Sequence, residues 1–462
     1  VSARSASLVV VVLVLGLACW PRTSAALPAP RTARAMTWLR WQHASRTLQA
    51  RFVRPGSLAV LGVARPGDLE PLRARYGFSV VRAFPELHAA EVRAPAALVA
   101  AARFDSRIRY LSPLGSRQRL LSLATSPLVT NVDPLTGVPF EWQFEAADVG
   151  PALALSPGSA SIIVGTIDSG VADIPDLAGK VDQRWTVSST GRVTRGRNAV
   201  DYVGHGTAVA SLIAANGFGM AGFGGATHVI AIRAPSLTPI AVAVALMKLD
   251  KLGVRIVNMS FGSAAPEPPI VLDAIHKAAA DGLLLIAAAG NSGAPVAHPA
   301  ADLQSQGGQE SDGLAVGASD VDGKLAFFSN AGDHLSLVAP GSYLGQCSGV
   351  LVAAPLSAEF VNACYPSWIG VNGASYAYVA GTSFAAPEVA GVAALVWAAR
   401  PELTNVQVAD IIKQSAHREG GEWTPTTGCG VLDAAAAVAL ALGRSSSEWA
   451  DAPPVPSTCS AG

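Results

Sequence analysis

The sequence has 462 residues, 50% of them apolar and only 14% charged, with Lys plus Arg and Asp plus Glu both at 33 and a formal net charge of zero. At about 150 residues per domain this leaves room for about three structural units around a large core. So low a charge excludes a disordered chain, and without a basic excess no nucleic-acid partner is expected.

In chain order, the longest apolar run is residues 8–20, broken only by Gly16 and preceded by a short segment carrying Arg4. It falls short of the ~20 residues that span a bilayer and matches the 7–15 of a secretory signal. Residues 1–26 are therefore expected to be a signal peptide cleaved among Thr23, Ser24, Ala25 and Ala26, and the protein to be secreted. A lipid anchor on Cys19 is the alternative, and no later membrane span is expected. Residues 27–56, rich in Pro, Arg and Ala, read as a linker.

Residues 57–64 predict a strand, 66–76 a helix opened by Pro, 78–83 and 87–92 strands, 95–104 an Ala-rich helix and 107–112 a last strand. That order is a split-βαβ unit over 57–115, followed by a connection at 116–139. From Ser161 onward apolar runs alternate with helical stretches. Strands are expected at 161–168, 228–234, 254–260, 283–289 and 313–319, and helices at 205–215, 239–252 and 269–281, the last ended by Gly282. This pattern predicts an α/β fold with a doubly wound, mostly parallel sheet over 140–443, before a tail at 444–462. On such sheets chemistry sits just beyond the carboxyl ends of the strands.

Four residues stand at such places in glycine-containing motifs. Asp168 ends a strand in IDSG, His205 stands between glycines in GHGTAVASLIAA, Asn291 closes LLLIAAAGN, and Ser383 opens an apolar helix in GTSFAAPEVAGVAAL. Each has an ordinary structural role open to it, as a turn or helix cap. Together they place a carboxylate, an imidazole, an amide donor and a hydroxyl beside the N–H groups of a helix start, the ingredients of acyl transfer. Pro387 is expected in the first helical turn, where its missing N–H costs nothing.

With these motifs and VNMSFG at 257–262, the chain resembles the subtilisin-like serine proteases over about 140–443. The 57–115 unit resembles that family's inhibitory propeptide. The resemblance implies that Ser383 is the nucleophile, His205 the base and then the acid, and Asp168 the residue that orients His205. Asn291 and the Ser383 N–H would form the oxyanion hole. Ser260, Phe261 and Gly262, with Ala288, Ala289 and Gly290, would bind substrate. The function implied is a secreted serine endopeptidase made as a self-processing zymogen, with proteins or peptides and its own propeptide as partners, and a monomeric state. The alternative is a catalytically inactive subtilase-fold module that binds peptides. An esterase would carry Gly-x-Ser-x-Gly, which the surroundings of Ser383 lack. No cofactor is implied for catalysis and no metal ligand is assigned, while structural calcium is allowed for by the family.

Ser169, Ala208, Phe384 and Glu388 depart from the usual Thr, His, Met and His. Glu388 is expected to be a solvated carboxylate favoured by the helix dipole, with repulsion of the oxyanion as the alternative. The carboxylate-free walls at 260–262 and 287–291, with Ala300 at the pocket base, predict uncharged, mainly apolar residues before the scissile bond. Loss of Cys19 leaves Cys347, Cys364, Cys429 and Cys459, which permit three connectivities. Pairing within 347/364 and 429/459 is expected. The stretch between Gly341 and Gly381 would border the cleft or form a surface insertion pinned by the first pair.

Overall fold

The computed structural model describes residues 53, 55–102, 104–113, 119–120, 141–196, 200–304, 312–343, 349–355, 369–371, 374–418, 422–444 and 459. The apolar run at 8–20 with Cys19, most of the 27–56 and 116–139 segments, Cys347, Cys364 and nearly all of the 444–462 tail lie outside the described residues.

The N-terminal unit consists of β1 (Leu58–Val63), α1 (Leu69–Tyr76), β2 (Ser79–Phe84), β3 (Ala89–Arg93), α2 (Ala96–Ala101) and β4 (Ile108–Pro113). Its antiparallel sheet runs β2-β3-β1-β4. A 3₁₀ turn at Pro85–Leu87 separates β2 from β3, so the strand read from Leu87 begins instead at Ala89. One sheet face closes a small core of its own through Leu61, Leu72, Leu98 and Leu111. The other contributes Val60, Phe84, Leu87 and Tyr110 to the core of the larger domain. A two-residue strand, β5 (Arg119–Leu120), follows.

The larger domain starts with two short helices, α3 (Trp142–Ala146) and α4 (Val149–Leu155). Its central sheet contains β6 (Ile163–Asp168), β7 (Val181–Val187), β8 (Val193–Arg195), β9 (His228–Arg233), β10 (Ile256–Met259), β12 (Leu284–Ala288), β13 (Gly313–Ser319) and β14 (Leu337–Pro340), with the short β11 (Phe261–Gly262) just beyond β10. The order is β14-β13-β12-β10-β6-β9-β7-β8, parallel except for the edge strand β8. The expected doubly wound sheet is therefore present. Strand alternation explains why its runs are apolar throughout: in β12, Leu284, Ile286 and Ala288 face one core while Leu285 and Ala287 face the other. Helices α6 (Pro239–Lys251) and α7 (Pro269–Ala280) cover the face that the N-terminal unit also meets. Helix α5 (His205–Ala214) and the 18-residue α8 (Thr382–Ala399) cover the other. By length and composition α8 passes for a membrane span, yet 89% of it is buried, as befits a core helix.

Strands β7, β8 and β14 escape a reading of apolar runs. The first two are partly exposed near a sheet edge, and β14 has only four residues. The stretch after Gly341 is not a bare surface insertion. It supplies β15 (Val350–Ala353), β16 (Ile369–Val371) and β17 (Ala374–Val379), and Val350, Val352 and Tyr376 are buried in the α5/α8 core. The last helices among the described residues are α9 (Asn405–Ser415) and α10 (Ala434–Ala441). Cys429 and Cys459 form a disulfide, as expected, tying a tail residue to the domain.

Candidate active site

Asp168 ends β6, next to β10, where the chain stops adding strands on one side of β6 and starts on the other. Loops diverge at such a switch point and leave a crevice. His205 opens α5 behind Gly204, whose φ of +87° is left-handed and suits glycine. The turn is held by Asp201, a buried carboxylate that the sequence reading missed. One oxygen accepts from the Val203 and Gly204 N–H groups at 3.1 and 2.7 Å. The other accepts from the Thr207 N–H and hydroxyl at 2.9 and 2.7 Å. Its only advance signal was an Asp four residues before the histidine, a spacing that many turns share.

Gly206 is required by close approach, because a Cβ there would collide with the Gly170 carbonyl and come within 3.0 Å of the Asp168 side chain. The helix start is thus pressed onto the strand end, and His205 Nδ1 donates to Asp168 Oδ1 at 2.9 Å and reaches Oδ2 at 3.1 Å. Both side chains are 1% exposed. Asp168 Oδ1 also accepts from the Ser169 N–H at 2.6 Å. Ser169 keeps the hydroxyl of the usual Thr and uses it to accept from the Gly206 N–H at 2.9 Å. With Nδ1 carrying the proton, Nε2 is the basic nitrogen.

Ser383 is the second residue of α8. The ring of its neighbour Phe384 packs 5.3 Å from the His205 imidazole, which brings the serine to the His205 side of the crevice. The Thr382 N–H and hydroxyl both donate to Asn291 Oδ1 at 2.9 Å, while the Gly290 N–H donates to the Thr382 hydroxyl at 3.1 Å. The amide oxygen is therefore held at the helix start. Its Nδ2 is shielded from solvent and makes no hydrogen bond among the described residues, so an oriented donor is left for an anionic oxygen.

Pro387 lies in the second turn of α8, not the first, so it does cost an intrahelical bond. The missing N–H would have served the Ser383 carbonyl four residues back. Ser260 Oγ serves it instead at 2.7 Å, and Ser383 Oγ donates to the Ser260 carbonyl at 3.2 Å. Two reciprocal bonds thus join the start of α8 to the expected substrate strand. Along that strand, Phe261 and Gly262 pair antiparallel with Leu120 and Arg119 of β5. Across from it, Ala288 ends β12, and Ala289 is fixed by N–H donation to Val316 O at 2.8 Å and by accepting from the Ala297 N–H at 2.7 Å. Gly290 adopts φ of +111°.

Ala300 is buried in a 3₁₀ turn, Ala300–Asp302. Two carboxylates outside the expected walls lie close by in the chain. Asp302 Oδ2 lies 2.8 Å from His298 Nδ1, and the His298 backbone pairs with Ser263, next to β11. Glu267 is pushed up to about 8, first by burial and then by Asp302. Asp302 is thus engaged by the His298 imidazole, and burial keeps Glu267 neutral at pH 7.

Glu388 corrects an expectation. It is fully buried, not solvated, and neither carboxylate oxygen has a hydrogen-bond partner among the described residues. Burial alone drives its acidity far below that of an ordinary carboxyl, so it is a neutral acid in the core. Neutrality also removes the expected repulsion of an oxyanion. As for calcium, no group of three or more His, Cys, Asp or Glu among the described residues forms a cation cage. The buried Asp176 already accepts from the Tyr376 hydroxyl at 2.8 Å and from the Gly219 and Met220 N–H groups at 3.0 Å each.

The subtilase family model matches residues 159–432, which include all four motif residues. The chain belongs to the subtilase family. It is 32% identical over 287 residues to subtilisin Savinase of Lederbergia lenta, covering 60% of this chain and 91% of that one. M-protease of Shouchella clausii (strain KSM-K16) shows the same identity over the same length, but this subtilase spans only 64% of that relative. Among solved structures, fervidolysin from Fervidobacterium pennivorans, described as a keratinolytic enzyme related to subtilisin, superposes with a TM-score of 0.66. The match has 22% identity over 88% of this chain and 63% of the other, and it bears on the fold alone.

Proposed function

We propose that this subtilase is a secreted serine endopeptidase made as a self-processing zymogen, with Asp168, His205, Ser383 and Asn291 as its catalytic set. In this reading Ser383 Oγ attacks a peptide carbonyl while His205 Nε2 takes its proton. Asp168 holds the resulting imidazolium through Nδ1, and the Asn291 Nδ2 and Ser383 N–H donate to the oxyanion. His205 then hands the proton to the leaving amine, and water drawn through the same imidazole releases the acyl-enzyme. No cofactor enters any step.

The observation that carries the zymogen reading is the pairing of the chain's own β5 with β11, which is how an extended peptide would add to that edge. The N-terminal unit of 57–115 is thereby read as a tethered inhibitor, effective because its tail is present at high local concentration. The apolar run at 8–20 supports secretion. The test is labelling with a fluorophosphonate. The wild type should be labelled at Ser383 and hydrolyse casein, whereas Ser383→Ala and His205→Ala should lose both. Full hydrolysis by Ser383→Ala would end the reading.

A further inference from the structure

We infer that the seam between the N-terminal unit and α6 is a binding site for a carboxylate with a short apolar body, the chemistry shared by a short-chain acid and the terminal residue of a peptide. The site stands apart from the zymogen reading above, and only its effect on release rests on that reading.

A cavity of about 200 Å³ lies where β2 and the 3₁₀ turn after it meet the last turns of α6 and the edge strand β8. Its buried lining is apolar: Phe84, Leu87, Val244 and Met247 are each no more than 9% exposed. Its charged lining is mostly cationic, with Arg82, Lys248 and Lys251 against the carboxylate of Glu86. That carboxylate is already engaged by Lys251 at 2.5 Å. Arg82 donates to the Thr190 carbonyl at 2.8 Å, and Lys248 Nζ rests 3.7 Å from the centre of the Trp185 ring, so neither contact supplies a counter-charge. Glu91 stands opposite Arg82 in β3, but burial raises its pKa above the ordinary carboxyl value, and it does not line the cavity.

The cations are crowded as well as numerous. Burial, then Arg195 and Lys251, lower the pKa of Lys248. Lys248 and Lys251 also complement the C-terminal dipole of α6, whereas Arg82 reaches the same cavity from β2 and serves no helix end. A neutral apolar ligand would leave these charges bare, and a small oxyanion would leave the apolar lining uncovered. A carboxylate with a few methylenes satisfies both, through charge-assisted hydrogen bonds at one end and apolar burial at the other. The volume is below the ~300–1,000 Å³ of sites for larger ligands, so the body must be short. Such an occupant touches the N-terminal unit and α6 at once. It therefore binds the joined form alone and holds the two together by mass action.

The test is calorimetric titration of the full chain carrying Ser383→Ala with hexanoate at fixed ionic strength. Hexanoate should bind, and affinity should rise about fourfold for each methylene added from acetate to hexanoate. Hexan-1-ol, which lacks the charge, should bind at least about tenfold more weakly than hexanoate, and Arg82→Gln or Lys248→Gln should weaken hexanoate by about tenfold. Both positions are partly exposed, so the variants are expected to fold, and circular dichroism checks that they do. N-acetyl-leucine binding as tightly as hexanoate assigns the site to peptide ends as well, and weaker binding assigns it to free acids. Hexanoate binding that neither substitution weakens would put the acid elsewhere and overturn the inference, as would no binding of either acid. In the wild type, saturating hexanoate should lengthen the lag before peptide hydrolysis begins, and Lys248→Gln should not respond. An unchanged lag beside intact binding overturns the effect on release. Absence of any Ser383-dependent cleavage would instead sink the zymogen reading and leave the binding site standing.

Discussion

Asn291 and Glu388 show how single side chains near Ser383 divide their roles. Asn291 is anchored through its oxygen to Thr382, so replacing it removes a donor and also loosens the helix start. Asn291→Ala should lower kcat by about 10²–10³-fold, the range known for the corresponding donor in subtilisin, with KM changed far less, in steady-state peptide hydrolysis. Glu388 has the opposite character, a buried acid whose oxygens have no hydrogen-bond partner among the described residues. Its folded pKa lies well above the unfolded value. Below the unfolded value, near 4, both states hold the proton and Glu388 adds no pH dependence. As pH rises, only the unfolded state ionises, and the folded state loses about 1.4 kcal/mol per unit until the folded pKa is reached. Glu388→Gln should remove this loss. Calorimetry in a Ser383→Ala background should show Tm falling less between pH 5 and pH 9 than in the parent. Glu141, pushed to about 7, Asp433, to about 6, and Glu267, to about 8, all chiefly by burial, titrate in both proteins and cancel in the difference.

At the scale of elements, α8 and β11 work as a pair because of a proline. Pro387 leaves the Ser383 carbonyl without its helical donor, and Ser260 fills the place. Ser260→Ala should therefore cost about 1–3 kcal/mol by leaving a buried carbonyl unsatisfied. The same change made in Pro387→Ala should cost less, since residue 387 then supplies an N–H. A double-mutant cycle by urea unfolding in the Ser383→Ala background checks this, and equal costs in both backgrounds would contradict the compensation.

For the whole molecule, the relevant joint is between the N-terminal sheet and the surface helices. Arg109 Nη1 donates to Asp273 Oδ1 at 2.8 Å, and its Nη2 reaches Oδ2 and the Leu87 carbonyl. The Tyr110 hydroxyl donates to the same carboxylate at 2.8 Å. Around this polar knot lie Val60, Phe84 and Leu87 packed with the α6/α7 core. Breaking a part-buried pair leaves Arg109 without its counter-charge, an effect felt mainly in dissociation. Asp273→Ala should release active enzyme after cleavage about tenfold faster or more, measured as the lag before peptide hydrolysis begins. An unchanged lag would locate the hold in the apolar contacts alone.

The order of Asp168, His205, Asn291 and Ser383, the split-βαβ unit and the five buried strands were legible without coordinates. They rest on local properties: motif composition and strand period act over a few residues. What the fold alone decided involves partners far apart in the chain. Ser260 answers Pro387, Tyr376 meets Asp176, and β5 takes its register on β11. Burial is likewise a sum over neighbours from many segments, which is why Glu388 looked like a surface cap at its helix start and proved to be an uncharged core residue. Partly exposed edge strands such as β8 carry no apolar run to announce them, and only the pairing of β7 with its neighbours made them strands.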